Sequence, residues 1–230
     1  MKQDRCLGLI GGLAVGATVH YYRELAKAHE AMGAELRLLM IHADMPRVLG
    51  YVQQGDVAAL AHYFAGLIAQ LKAGGADLAA IASVTPHICI GELTAITPLP
   101  IVNVIHLIRN EILTRGIRRV ALFGTRFTIE SKLFGQLEGV DVVMPRPDEV
   151  QFIHDTYLAT ARDGVFSAQH HQALTTLART LCDRDNVEAV ILAGTDLSML
   201  FNEANTDFPH LDCSRLHIHA ITKALFETTQ

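Results

Sequence analysis

The sequence predicts an α/β fold with parallel sheets, arranged as two related lobes. Three observations predict it. Short runs of Val, Ile and Leu alternate with amphipathic stretches from end to end, the pattern of buried strands joined by crossover helices. The chain has 230 residues, 50% apolar and 19% charged, which fills a sizeable core without metal or disulfide. Strand-to-turn segments also recur at nearly equal offsets.

Taken in order, LGLIGG opens as a strand and ATVHYYRELAKAHEAMG follows as a helix, with Gly33 at its expected C-cap. LRLLMIHA reads as the next strand, leading through a loop near Met45–Gly55 to the helix VAALAHYFAGLIAQLKAGG, closed at Gly74. LAAIAS is a third strand and PHICIGELTAI a helix. IVNVI with HLIRNEILTRG (capped at Gly116) and VALFG with TIESKLFGQLEG repeat the unit. VDVVMP precedes helices over Glu149–Arg162 and Ala168–Cys182, then the strand AVILAG and a helix ending near Phe226.

LGLIGGLAVGAT resembles VALFGTRFTIES, and LAAIASVT resembles AVILAGTD. Gly11 and Gly124 lie 113 positions apart, and Ser83 and Gly194 lie 111 apart. A duplication is expected, with residues 1–100 plus about 203–230 in the first lobe and about 101–202 in the second.

Charge and composition exclude several partners. Lys+Arg 19 against Asp+Glu 24 leave a net charge of −5 without a basic block, so no nucleic acid is expected. No apolar run reaches the ~18 residues of a membrane span, and MKQDRCLGLIGG lacks a secretory apolar stretch. Cys6, Cys89, Cys182 and Cys213 form no CxxC pair, which fits a reduced cytoplasm. The 12 histidines show no metal-ligand spacing, and His170–His171 reads as a solvated helix face. No metal is expected.

In parallel sheets, ligands bind beyond the carboxyl ends of strands, where helix N-termini favour anions. The turns Gly11–Thr18, Ser83–His87, Gly124–Thr128 and Gly194–Leu197 qualify, and facing lobes would line one cleft with them. GGLAVGAT has the spacing of a phosphate loop, but Ala17 stands where its Lys belongs, so a carboxylate suits it better. Thr85 reads as an N-cap with Pro86 at N1, and Thr195 and Asp196 as caps of the next helix.

These motifs, in this order, carry a resemblance. LGLIGGLAVGAT, IASVTPH, GTRFTIES, ILAGTDL and DCSRLH resemble the aspartate/glutamate/hydantoin racemase superfamily, nearest its aspartate racemase branch, over nearly the whole chain. The resemblance implies two Rossmann-like lobes related by pseudo-twofold symmetry, a cofactor-free active-site cleft between them, and a homodimer. It implies Gly12, Val84, Thr85, Thr125, Thr195 and Asp196 as substrate-binding turn residues. Arg47, in HADMPR, would pair with a substrate carboxylate.

In that family each lobe offers a cysteine, so that a proton leaves one face of Cα and another arrives at the opposite face. Here Ser83 occupies the first cysteine position and Gly194 the second. A serine hydroxyl is a far weaker base than a thiolate, and glycine offers no side chain. His87 and His217 match family histidines and could do acid–base work without thiols. Cys89 and Cys213 are candidate displaced bases, while Cys6 and Cys182 read as thiols without a role. Arg162, loosely aligned with a family lysine, reads as an exposed ion-pair residue.

Three function classes follow: an amino-acid racemase or epimerase with altered acid–base residues, a different carboxylate reaction (isomerisation, decarboxylation or elimination), or a non-catalytic carboxylate-binding protein.

Overall fold

The computed structural model describes residues 5–133, 135–163 and 167–226, with the backbone alone at 160–163. The chain divides into two compact units, Met1–Val104 with His217–Gln230, and Ile105–Leu216.

In the first unit, β1 (Leu7–Gly11), β2 (Leu38–His42) and β3 (Leu78–Ile81) form a parallel sheet in the order β2-β1-β3. The pleat sends alternate residues to opposite faces. Ile10, Ala79 and Ile81 pack with Leu60, Phe64 and Ile68 of α3 (Val57–Ala73) and Leu93 of α4 (Ile90–Ile96). Leu7, Leu9, Leu78 and Ala80 face Tyr21 and Leu25 of α1 (Val15–Ala31), with Ile218, Ile221 and Leu225 of α10 (Cys213–Phe226). Each large aliphatic side chain so buried stabilises the unit by roughly 1.5–3 kcal/mol. With both faces covered, the strands are apolar throughout, which is why they read as continuous runs.

The second unit carries β4 (Arg119–Phe123), β5 (Asp141–Val142), β6 (Ala189–Leu192) and β7 (His210–Asp212) as a parallel sheet ordered β5-β4-β6-β7. Its helices are α5 (Val104–Arg115), which begins one residue before the unit, α6 (Arg126–Glu130), α7 (Pro147–Asp163), α8 (Ala168–Asp185) and α9 (Leu197–Leu200). In each sheet the strand order reverses beside the first strand, between β1 and β3 and again between β4 and β6. Those two places are the switch points at which α/β sheets open a crevice.

Several local expectations need correction. Met45–Gln54 is a helix, α2, rather than a loop. Asp44 caps it by accepting from the Arg47 N–H, Pro46 stands in its first turn, and Gly55 ends it at φ 66°. IVNVI is not a strand: Ile101 alone bridges to Ala79 before α5 begins. VDVVMP contributes only Asp141–Val142, at the sheet edge just ahead of Pro145. TIESKLFGQLEG stops being helical at Glu130, and Lys132 and Leu133 turn left-handed (φ 49° and 55°). Residues 203–216 fall in the second unit, because β7 pairs with β6 from Val190↔His210 to Leu192↔Asp212. Among the described residues, no helix is long and apolar enough to cross a membrane.

Candidate functional site

The carboxyl end of the first sheet is assembled from three turns. The register pairs Gly11 with His42 and Ile10 with Ile81, so the turns after β1, β2 and β3 emerge side by side. Gly12 takes φ 86°, and a Cβ there would stand 2.8 Å from the His42 ring. Glycine is required at 12 on both counts. Its N–H donates to the Thr18 hydroxyl at 3.0 Å, and Thr18 donates on to the Ala14 carbonyl at 2.9 Å. The first turn is thus braced internally, and Gly12 has no amide left for a ligand.

Ser83 and Thr85 differ. Both are half-buried, and no protein hydrogen bond engages either hydroxyl among the described residues. Thr85 is not the N-cap: Val84 holds that position without a side-chain cap, and Thr85 opens a 3₁₀ turn, Thr85–Cys89. Its hydroxyl therefore stays available. Val84 is 2% exposed, so it can offer only backbone.

The two candidate histidines lie under this turn, not at its surface. His87 and His217 are both fully buried, with ring centroids 6.1 Å apart in an edge-to-face arrangement. Burial pulls His87 down to about 4, with the Ser83 and Val84 backbone opposing part of the shift. Burial, with the neighbouring His87, takes His217 to about 3. His217 Nε2 donates to the Val102 carbonyl at 2.8 Å, which leaves Nδ1 to accept from the Tyr21 hydroxyl at 3.0 Å. Both rings are neutral near pH 7. His217 has both nitrogens committed, and the His87 ring packs edge-to-face against it.

Arg47 is exposed on α2. Its Nε donates to the Tyr51 hydroxyl at 3.0 Å, and its guanidinium lies 4.8 Å from the Tyr63 ring centroid. The aromatic pair orients the fork while water reaches it, an arrangement suited to a carboxylate.

The second unit repeats the topology with different contents. Thr125 caps α6, its hydroxyl accepting from the Thr128 N–H at 3.1 Å. Arg126 N–H donates to His154 Nδ1 of α7 at 3.1 Å. At Gly194, a Cβ would fall 2.9 Å from Cδ2 and Cζ of Tyr157 and closer still to Cε2. The ring of Tyr157 therefore takes the space of the missing side chain. The Tyr157 hydroxyl donates to Asp196 Oδ2 at 3.2 Å. Burial and the Asp196 carboxylate push the phenol well above its ordinary range, so it stays protonated. Thr195 and Asp196 are buried and do not cap α9: Asp196 holds the cap position, but its side chain bonds to Tyr157 instead.

No cysteine replaces the absent thiols. Cys89 donates to the Pro86 carbonyl at 3.1 Å, and burial raises it to about 12. Burial, with the Asp212 charge, also pushes Cys213 well above its ordinary range. Cys6 and Cys182 are raised for the same reason. The side chain of Arg162 lies outside the described residues. Among those residues no group of three or more His, Cys, Asp or Glu could hold a metal ion.

Sequence reasoning missed His42, Tyr157 and His154. His42 is exposed at the end of β2, and its place beside Gly12 follows from the register alone. Tyr157 and His154 sit on one face of α7 at i, i+3 spacing, but nothing local ties that face to Gly194.

Comparisons with known proteins agree with this architecture. The family model described as Asp/Glu/Hydantoin racemase matches residues 10–221. An aspartate racemase homologue from Pyrococcus horikoshii superposes with a TM-score of 0.82 at 21% identity, covering 97% of this chain and 100% of that one. Picrophilus torridus aspartate racemase gives 0.71 at 21% identity, over 99% and 96%. Glutamate racemase from Thermus thermophilus gives 0.61 at 20% identity, over 98% and 82%.

Proposed function

This chain belongs to the Asp/Glu/hydantoin racemase family, and from that premise we propose that it binds a small amino acid or related carboxylate, without a cofactor, and that its chemistry is not two-thiol racemisation. In this reading the Ser83 and Thr85 hydroxyls, the Val84 backbone and the Arg47 guanidinium of the first unit engage the ligand. Thr125, Thr195 and Asp196 shape the corresponding turns of the second. His87 and His217 act as the buried support beneath the Ser83 turn.

The observation that carries the reading is the filled position at Gly194, where the Tyr157 ring leaves no room for an acid–base side chain. Ser83, the counterpart in the first unit, presents a hydroxyl that lacks an adjacent base among its hydrogen-bond partners. A positioned proton-transfer group contributes typically 10²–10⁴-fold, so racemisation of aspartate or glutamate is slowed at least by that much relative to a two-thiol enzyme.

The test pairs binding with exchange. Calorimetry with L- and D-aspartate and glutamate should show carboxylate binding, and NMR in D₂O should show Cα exchange slow or absent. Racemisation at rates ordinary for enzymes would overturn the reading. Binding without any exchange would favour the non-catalytic carboxylate-binding alternative, which the protonated state of Cys89 and Cys213 supports. A homodimer belongs to the same proposal, supported by the exposed row Val15, Val19 and Tyr22 on α1. Sedimentation equilibrium tests it.

A further inference from the structure

We propose that Tyr157 is the residue that fixes the specificity of the second unit: its ring replaces the side chain that position 194 lacks, and its hydroxyl is committed to Asp196. The inference rests on the proposed function, because it explains why this unit would neither take nor give a proton at a bound carboxylate.

Backbone conformation does not explain glycine at 194. Among the described residues the left-handed glycines are Gly12, Gly33, Gly55, Gly75, Gly116, Gly135 and Gly139, and Gly194 is not one of them. Any residue could adopt its backbone angles. What forbids a side chain is the neighbour, since a Cβ would overlap the edge of the Tyr157 ring at 2.9 Å or less. That ring is 8% exposed and anchored at both ends, by helix α7 and by the bond to Asp196, so it cannot swing aside as a surface lysine would.

The phenol is not a substitute base. Its proton points at the Asp196 carboxylate at 3.2 Å, and burial beside that charge keeps it un-ionised. Nor is Tyr157 alone in covering this end of the sheet. His154, one turn earlier on α7, accepts the Arg126 N–H at the start of α6. One helix thus places side chains on the turns after both β4 and β6. Position 157 decides the chemistry available at position 194.

The experiment introduces Gly194→Cys into the full chain with Tyr157 present, with Tyr157→Phe and with Tyr157→Ala. With Tyr157 or Phe in place, the new cysteine should lower Tm by about 5 °C or more, and its thiol should resist iodoacetamide in the folded protein. With Tyr157→Ala the same substitution should cost less than about a third of that shift, and alkylation should accelerate by about 100-fold. Gly194→Ala in the same three backgrounds gives a smaller overlap and reads the same coupling should a cysteine variant not fold. The proposal is overturned if Gly194→Cys keeps the parent Tm and a reactive thiol beside intact Tyr157, or if the Tm losses at 157 and 194 simply add. Neither readout needs a ligand. Failure of the parent protein to bind L-aspartate or any other carboxylate would instead sink the proposed function and leave this coupling measured on its own.

Discussion

The turn after β3 and the turn after β6 occupy equivalent places in their sheets, yet they are finished in opposite ways. In the first unit, two buried histidines pack beneath the turn, and the hydroxyls of Ser83 and Thr85 remain uncommitted among the described residues. In the second, an aromatic ring from α7 fills the side-chain position, and its hydroxyl is bound to the Asp196 carboxylate. Topology supplies the location of a binding turn. Whether the turn can act depends on which neighbouring helix reaches it.

The largest effect should come from forcing a side chain into the second turn. Gly194→Leu must displace the Tyr157 ring and should destabilise the second unit by about 3 kcal/mol or more, read by chemical denaturation. A loss below about 1 kcal/mol would mean the ring yields easily, and the contrast between the turns would collapse.

Acid should expose the first unit selectively. Folded His87 and His217 titrate near 4 and 3, below the ordinary 6.5 of an unfolded histidine. Between those values the unfolded chain binds more protons, so stability is full above about pH 6.5 and falls as the pH drops. A shift from 6.5 to about 4 corresponds to about 3 kcal/mol for one group. Hydrogen exchange at pH 4.5 should rise in peptides of 78–104 and 217–226 before it rises around β4 and β6. Uniform acceleration would place the acid sensitivity elsewhere.

Smaller changes sharpen the comparison further. Tyr157→Phe removes one donor from a buried carboxylate and should cost about 2 kcal/mol, with Gly194 still covered. Arg47→Ala should leave Tm unchanged while weakening carboxylate binding about tenfold, as expected for a lost charge-assisted bond. Ser83→Ala should alter stability by no more than about 0.5 kcal/mol, because that hydroxyl has no protein partner among the described residues. A larger loss would show that Ser83 is structural after all.

Much of this was legible in the sequence, for reasons specific to each element. The strands showed because both faces of each sheet are covered, which makes LGLIG and AVIL apolar without alternation. The positions of Ser83 and Gly194 followed from the repeat. The helix at Met45–Gln54 was also signalled, by Asp44, Pro46 and Gly55, but HADMPR reads equally well as a loop until the cap is seen. His217 stood out because it matches a family histidine, and a motif match does not announce how deeply the ring is buried. Tyr157 could not be found this way. It meets Asp196 across 39 positions of chain, and a tyrosine on an amphipathic helix carries no sign of which turn it will fill.

Helix α10 is shared, with Cys213–Leu216 in one unit and His217–Phe226 in the other, and this has a consequence for biosynthesis. The second unit is a single continuous stretch of chain and can close as soon as it leaves the ribosome. The first cannot. Tyr21 waits for its imidazole partner, and Leu7, Leu9 and Leu25 wait for Ile218, Ile221 and Leu225, until the whole of Ile105–Leu216 has been made. At about 5–20 residues per second the delay is on the order of ten seconds. During that interval one face of the β2-β1-β3 sheet lies uncovered where α10 will pack. The unit whose synthesis starts first is therefore the one completed last.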